Sequence, residues 1–221
     1  MLSQKEWFDA LESRHGAARQ AKFRQGRVAI CGLGGLGSRV AELLVRAGVG
    51  HLRLGVDDDR VEATNLNRQL YFMDQLGQYK AEALVASLRR ITPYAELVPR
   101  ILRLTAENIP QELAGYDLIV EAFDGPREKA LLCNTVRECF PQAVLVAASG
   151  MAGFSSGNRV RVRKLSPHFY LCGDRTADIR DGDGLYGARV NLCAAQEALT
   201  VLQLLAGETE KIGKDEYYER K

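Results

Sequence analysis

The sequence predicts an α/β protein: a doubly wound, Rossmann-like, mostly parallel sheet finished by a C-terminal crossing loop and helix. Three observations predict it. Arg27 to Gly37 reads as a buried strand, a G-x-G-x-x-G frame and the head of an amphipathic helix. Short apolar runs and helix-periodic stretches then alternate along the chain, the pattern that lays helices on both faces of a parallel sheet. The 221 residues suffice for one large domain, and no internal repeat or composition break marks a second.

Residues 1–26 read as a polar helical arm anchored by Trp7, Phe8, Leu11 and Phe23. Val28 to Cys31 is the first strand. Gly32, Gly34, Gly35 and Gly37 follow, with Ser38 as the expected helix N-cap and Val40, Leu43, Leu44 and Ala47 at helical spacing. In that order, strand, glycine turn and helix make an anion site. Backbone comes close to a phosphate, and the first-turn N–H groups and the helix dipole face it. An ordinary strand-to-helix turn is the alternative.

Leu52, Leu54 and Val56 alternate in a second strand that ends in Asp57, Asp58 and Asp59. Asp57 lies about 20 residues past Gly37, where an acid takes the ribose hydroxyls of a nucleotide. Asp58 and Asp59 read equally well as a polar turn. Val61 to Tyr71 is a long polar loop that gathers Asn65, Asn67, Arg68 and Gln69, and such loops are often functional. Lys80 opens a helix faced by Ala81, Leu84, Val85, Leu88 and Ile91. A lysine there opposes the dipole, which points to a phosphate; a plain surface lysine is the alternative.

A third strand is expected over Ala95 to Ile101 and a short helix over Glu107 to Leu113. Asp117 to Ala122 is a buried strand leading to Asp124, and Pro126 suits the first turn of the next helix. Asp124 is therefore a ligand at a carboxyl end of the sheet or a helix cap. Strands over Ala143 to Ala148 and Arg159 to Arg163 are followed by an aperiodic crossing loop, residues 164–188, that contains Cys172. Val190 to Leu205 is an apolar helix. The expected organisation is an arm (1–26), one nucleotide-binding domain (27–206) and a polar tail (207–221).

A net charge of +2 leaves no electrostatic footprint for bulk nucleic-acid binding. No apolar run approaches the length of a membrane span, and the first residues lack a signal-peptide core, so a cytoplasmic protein is expected. The five cysteines form no C-x-x-C pair, which argues against a disulfide framework and a four-thiolate zinc site. NAD and ATP both suit the glycine frame. Arg68, Lys80 and the hard oxygen of Asp124, suited to Mg²⁺, favour a triphosphate.

GLGGLGS at Gly32 to Ser38, DDDRVEATNLNRQ at Asp57 to Gln69, Lys80, and EAFD at Glu121 to Asp124 together resemble the ThiF/MoeB-like superfamily of ubiquitin-activating-enzyme-like adenylyltransferases. The FYLCGD segment at Phe169 to Asp174 and the missing zinc cysteines make it most similar to short ThiF-family proteins. The resemblance implies ATP- and Mg²⁺-dependent adenylation of the Gly-Gly carboxylate of a ubiquitin-like sulfur carrier, ThiS, in thiamine thiazole biosynthesis. It implies that Gly34, Gly35 and Gly37 cover the nucleotide, with Asp57 on the ribose and Asp59 beside it. Asn65, Arg68 and Lys80 would hold phosphates, and Asp124 would hold Mg²⁺. Arg14 would reach the neighbouring subunit's nucleotide, implying a homodimer, and Cys172 would be a thiol that joins the activated carrier, a small packing residue being its alternative. A tRNA-modifying dehydratase of the same superfamily and an NAD-dependent oxidoreductase remain as other readings.

Overall fold

The computed structural model describes residues 2–56, 59–149, 151–176 and 184–213. In chain order they form α1 (Gln4–His15), α2 (Ala17–Gln25), β1 (Arg27–Cys31), α3 (Gly35–Arg46), β2 (His51–Val56), α4 (Lys80–Arg89), β3 (Glu96–Ile101) and α5 (Ile109–Glu112). Then come β4 (Leu118–Glu121), α6 (Pro126–Cys139), β5 (Val144–Ser149), β6 (Arg161–Ser166), β7 (Phe169–Gly173) and α7 (Gly187–Ala206). The strands make one sheet in the order β3-β2-β1-β4-β5-β7-β6. All neighbours are parallel except the edge pair β6–β7.

The order turns back at β1, which pairs β2 on one side and β4 on the other. Chains leaving the carboxyl ends of β1 and β4 therefore diverge to opposite faces and leave a crevice, where open α/β sheets bind ligands. Helices cover both faces. Val28, Ile30, Leu52, Leu54 and Val120 pack with α3, α4 and α7, while Ala29, Cys31, Ile119 and Leu145 pack with α5 and α6. Burial on both faces is why these strands read as continuous apolar runs rather than alternating ones.

α7 is twenty residues long and lies along α3, burying Val190, Cys193, Ala194, Ala198 and Val201. Gly16, at φ +80°, breaks the arm into α1 and α2. The arm seats at the amino ends of the strands: Gly50 N donates to Phe23 O and His51 N to Gly26 O, each at 3.0 Å. No helix among the described residues is long and apolar enough to cross a membrane.

Two expectations are corrected. Ser38 is not the cap of α3. That helix starts at Gly35, and the Ser38 hydroxyl donates back to Gly34 O at 2.6 Å. The crossing loop does not begin at residue 164. Phe169–Gly173 is a strand slotted between β5 and β6. Its cysteine and glycine read as loop residues in sequence, but its four apolar residues extend a core already formed by β5.

Candidate functional site

The turn after β1 is shaped by close approaches. A Cβ on Gly37 would stand 1.8 Å from Gly32 O, and one on Gly32, at φ +98°, would stand 2.6 Å from Ala122 O. Those glycines are needed for the turn itself. Gly34 differs, because the nearest atom to a Cβ there is Gln69 Nε2 at 3.9 Å. Its space faces out of the protein, over the N-terminus of α3, where backbone N–H groups lack helical partners.

The polar loop is fastened to that turn. Tyr71 Oη donates to Leu33 O at 2.8 Å, and Leu70 N donates to Ser38 Oγ at 3.1 Å. Arg68 and Gln69 are thereby held beside the turn: Arg68 Cγ lies 3.4 Å from the position of a Cβ on Gly35. Arg68 Nη1 donates to Thr64 O and to Asn67 Oδ1, both at 2.9 Å. Asn65 is buried and its Oδ1 accepts from Glu62 N at 3.0 Å, so it braces the 3-10 turn Ala63–Asn65, whose Thr64 O accepts from Arg68.

Lys80 opens α4 as expected but is buried, with Nζ 2.5 Å from Asp59 Oδ2. Asp59 and Asp124 line one cavity of about 620 Å³ together with Arg60, Glu62 and Glu128. Leu104, Ile109, Phe123, Leu131 and Leu132 form its apolar wall. Phe123 N is 2.9 Å from the position of a Cβ on Gly32, so the glycine turn and the cavity share a wall. Asp124 is exposed, and the helix cap beside it is Gly125, without a side-chain cap bond; the capping role is excluded. Beneath Asp124, buried Glu121 accepts from Phe123 N at 2.8 Å and pairs with Lys129, which also donates to Ala148 O at 3.1 Å. Burial pushes the Glu121 carboxyl up, and the Lys129 charge works against it. This pair holds the Phe123–Asp124 turn and was missed in sequence, although a carboxylate ending an apolar strand is itself a signal.

The structure does not bring every expected residue to this crevice. Asp57 lies outside the described residues. Arg14 is exposed at the end of α1, on the arm at the amino ends of the strands, whereas the crevice opens at their carboxyl ends. The crossing-loop reading of Cys172 is corrected: it sits within β7, 0% exposed, and burial pushes its thiol far up. A thiol so placed fits the packing alternative.

A glycine turn, a helix N-terminus and a fastened cationic loop at the switch point of an open sheet define a class of anion- or nucleotide-binding α/β proteins. The chain belongs to the ThiF family, whose model matches residues 9–219. It is similar to the adenylyltransferase and sulfurtransferase UBA4 of Yarrowia lipolytica, 29% identical over 205 residues, 87% of this chain and 49% of that protein. The counterpart from Aspergillus clavatus is 38% identical over 121 residues, 54% of this chain and 24% of that one. The chain thus spans about half or less of the length of these relatives. Among solved structures, the E. coli tRNA N6-threonylcarbamoyladenosine dehydratase TcdA in complex with ATP matches with a TM-score of 0.83 at 22% identity, covering 96% of this chain and 99% of that one. E. coli MccB with ATP matches at 0.66 and 22%, covering 87% and 59%. These structural likenesses show the fold.

Proposed function

We propose that this chain is an ATP-dependent adenylyltransferase that activates the C-terminal Gly-Gly carboxylate of a ubiquitin-like sulfur carrier of the ThiS type, in thiamine thiazole biosynthesis. The observation that carries the reading is the fastening of the Arg68 loop onto the glycine turn at the sheet's switch point. Family membership and the names of the UBA4 relatives support it. The base fits the apolar wall at Leu104, Ile109 and Phe123, and the ribose is assigned to Asp57 with Asp59 beside it. Phosphates are assigned to the Gly34–Gly35 backbone, Arg68 and Lys80, with Asn65 bracing the loop.

Mg²⁺ fits Asp124 on the chemistry of its surroundings. The cavity rim carries the carboxylates of Asp59, Glu62, Asp124 and Glu128, while no cluster of three or more His, Cys, Asp or Glu that could hold a metal occurs among the described residues. One or two carboxylates completed by substrate phosphates are the usual magnesium arrangement, and the ion would supply charge neutralisation on the triphosphate. The carrier's carboxylate oxygen bonds to the α-phosphorus, the bond to the β-phosphate oxygen breaks, and pyrophosphate leaves. Arg68 and the α3 N–H groups offset the charge that develops, and no protein nucleophile is needed. In this reading Cys172 packs within β7. Arg14 is assigned to the site of a second subunit in a homodimer.

A second reading, adenylation of a carboxylate on a modified tRNA base, is favoured by the end-to-end match to TcdA. ATP–pyrophosphate exchange separates the readings. Exchange dependent on Mg²⁺ and on a Gly-Gly-ended carrier is expected, with none on tRNA bearing threonylcarbamoyladenosine. Tight NAD binding without exchange would remove the proposal, and exchange on tRNA alone would transfer it to the second reading.

A further inference from the structure

Arg189, on the first turn of α7, is 5% exposed. Its Nε donates to Ala152 O at 3.1 Å, its Nη1 to Ser155 O and Ser156 O at 2.9 and 3.2 Å, and its Nη2 pairs with Asp174. Asp174 is also buried, and its Oδ1 accepts from Thr176 N at 2.9 Å. One guanidinium thus ties the segment after β5, the exit of β7 and the start of α7. Withdrawing such a pair from water is expensive and is offset only by near-complete hydrogen bonding, so it fixes geometry more than it adds stability.

What it fixes lies against the candidate site. The chain just before Arg189 presents Leu185 O to Asn67 Nδ2 at 2.9 Å. Gly187 fits against Asn67 so closely that a Cβ would stand 2.4 Å from Asn67 O, and Val190 Cγ1 lies 2.9 Å from the position of a Cβ on Gly35. Asn67 uses its other amide atom, Oδ1, to accept from Arg68 Nη1 at 2.9 Å. A continuous path therefore runs from the buried pair through Leu185 and Asn67 to the Arg68 guanidinium.

We propose that Arg189 and Asp174 are positioning residues for the phosphate end of the site: they hold the start of α7 so that Asn67 can orient Arg68 beside the glycine turn. This rests on the reading of that turn as a nucleotide site. The path ends at Arg68 and does not touch the apolar wall at Leu104 and Phe123, so it governs phosphates and leaves the base alone.

The test titrates ATP and adenosine against the full chain, wild type and Asp174→Asn, Arg189→Lys, Asn67→Ala and the Asp174→Asn/Asn67→Ala double variant. Each single variant is expected to weaken ATP about tenfold while adenosine affinity holds. The double variant is expected to be no weaker than Asn67→Ala, because both changes act on one path. Equal losses for ATP and adenosine, or additive losses in the double variant, would show a merely structural pair and overturn the proposal. Should the buried variants melt below the assay temperature, Asn67→Ala decides alone, since its side chain is exposed; wild-type ATP affinity there overturns the proposal. Wild-type protein that binds no ATP would instead overturn the nucleotide reading, and this inference with it.

Discussion

Glu197 is 0% exposed on α7, and neither carboxyl oxygen has a hydrogen-bond partner. Burial pushes its carboxyl well above the ordinary range, Glu121 pushes further, and Lys129 partly offsets them. The folded state therefore keeps a proton that the unfolded chain releases above its ordinary value of 4.5. Over that window the native state binds more protons, so stability falls as pH rises through the folded-state value. Glu197→Gln should flatten that fall and stabilise the protein at pH 8 by about 1–3 kcal/mol. Urea melts at pH 5 and 8 would read it; identical pH dependence in variant and wild type would dismiss it. Two surface-side changes should act oppositely. Arg68→Ala and Asp124→Ala should cut pyrophosphate exchange about 100-fold or more with little change in melting, because each removes charge from the site and neither leaves a cavity. Full exchange in either variant would remove its assignment. The residue types were legible in sequence; the Lys80–Asp59 pairing and the burial of Cys172 were not, because they arise from segments far apart in the chain.

Elements divide the glycines by job. Gly37→Ala forces a Cβ into Gly32 O and should cost about 3 kcal/mol or more, lowering the melting temperature by about 6–12 °C. Gly34→Ala has room within the protein and should melt like wild type yet bind ATP more weakly, since its methyl occupies the space over the α3 N-terminus. Calorimetry with nucleotide titration separates the two; unchanged ATP affinity in Gly34→Ala would place the phosphates elsewhere. Strands β1, β2, β4 and β5 and helices α3, α4, α6 and α7 were legible because periodicity and apolar runs are local properties. β7 was not. Five residues ending in Cys-Gly carry little pattern, and only the open edge of β5 makes them a strand.

At the scale of the molecule, Arg14 sits on the arm at the amino ends of the strands and the glycine turn at the carboxyl end of β1, so the proposed role for Arg14 calls on a second copy of the chain. A chain carrying Arg14→Ala and a chain carrying Asp124→Ala should each be inactive in exchange. After subunit mixing they should recover about a quarter of wild-type activity, because half of the dimers are mixed and each holds one intact site. No recovery on mixing, with subunit exchange verified, would confine the site to one chain.

Most strands and helices, the glycine frame and the charged residues around it were determined by the sequence alone, because each is set by neighbours along the chain; β7 was not, because it depends on the open edge of β5. Family membership followed from the same motifs. Tertiary structure alone decided which partners those residues take. Asp59 holds Lys80, Asn67 joins Leu185 to Arg68, and Arg189 ties the segment after β5 and the exit of β7 to the start of α7. The physical reason is that burial and hydrogen bonding depend on distance in space, and a parallel sheet with crossover helices brings together residues more than a hundred positions apart, as Asn67 and Leu185 are.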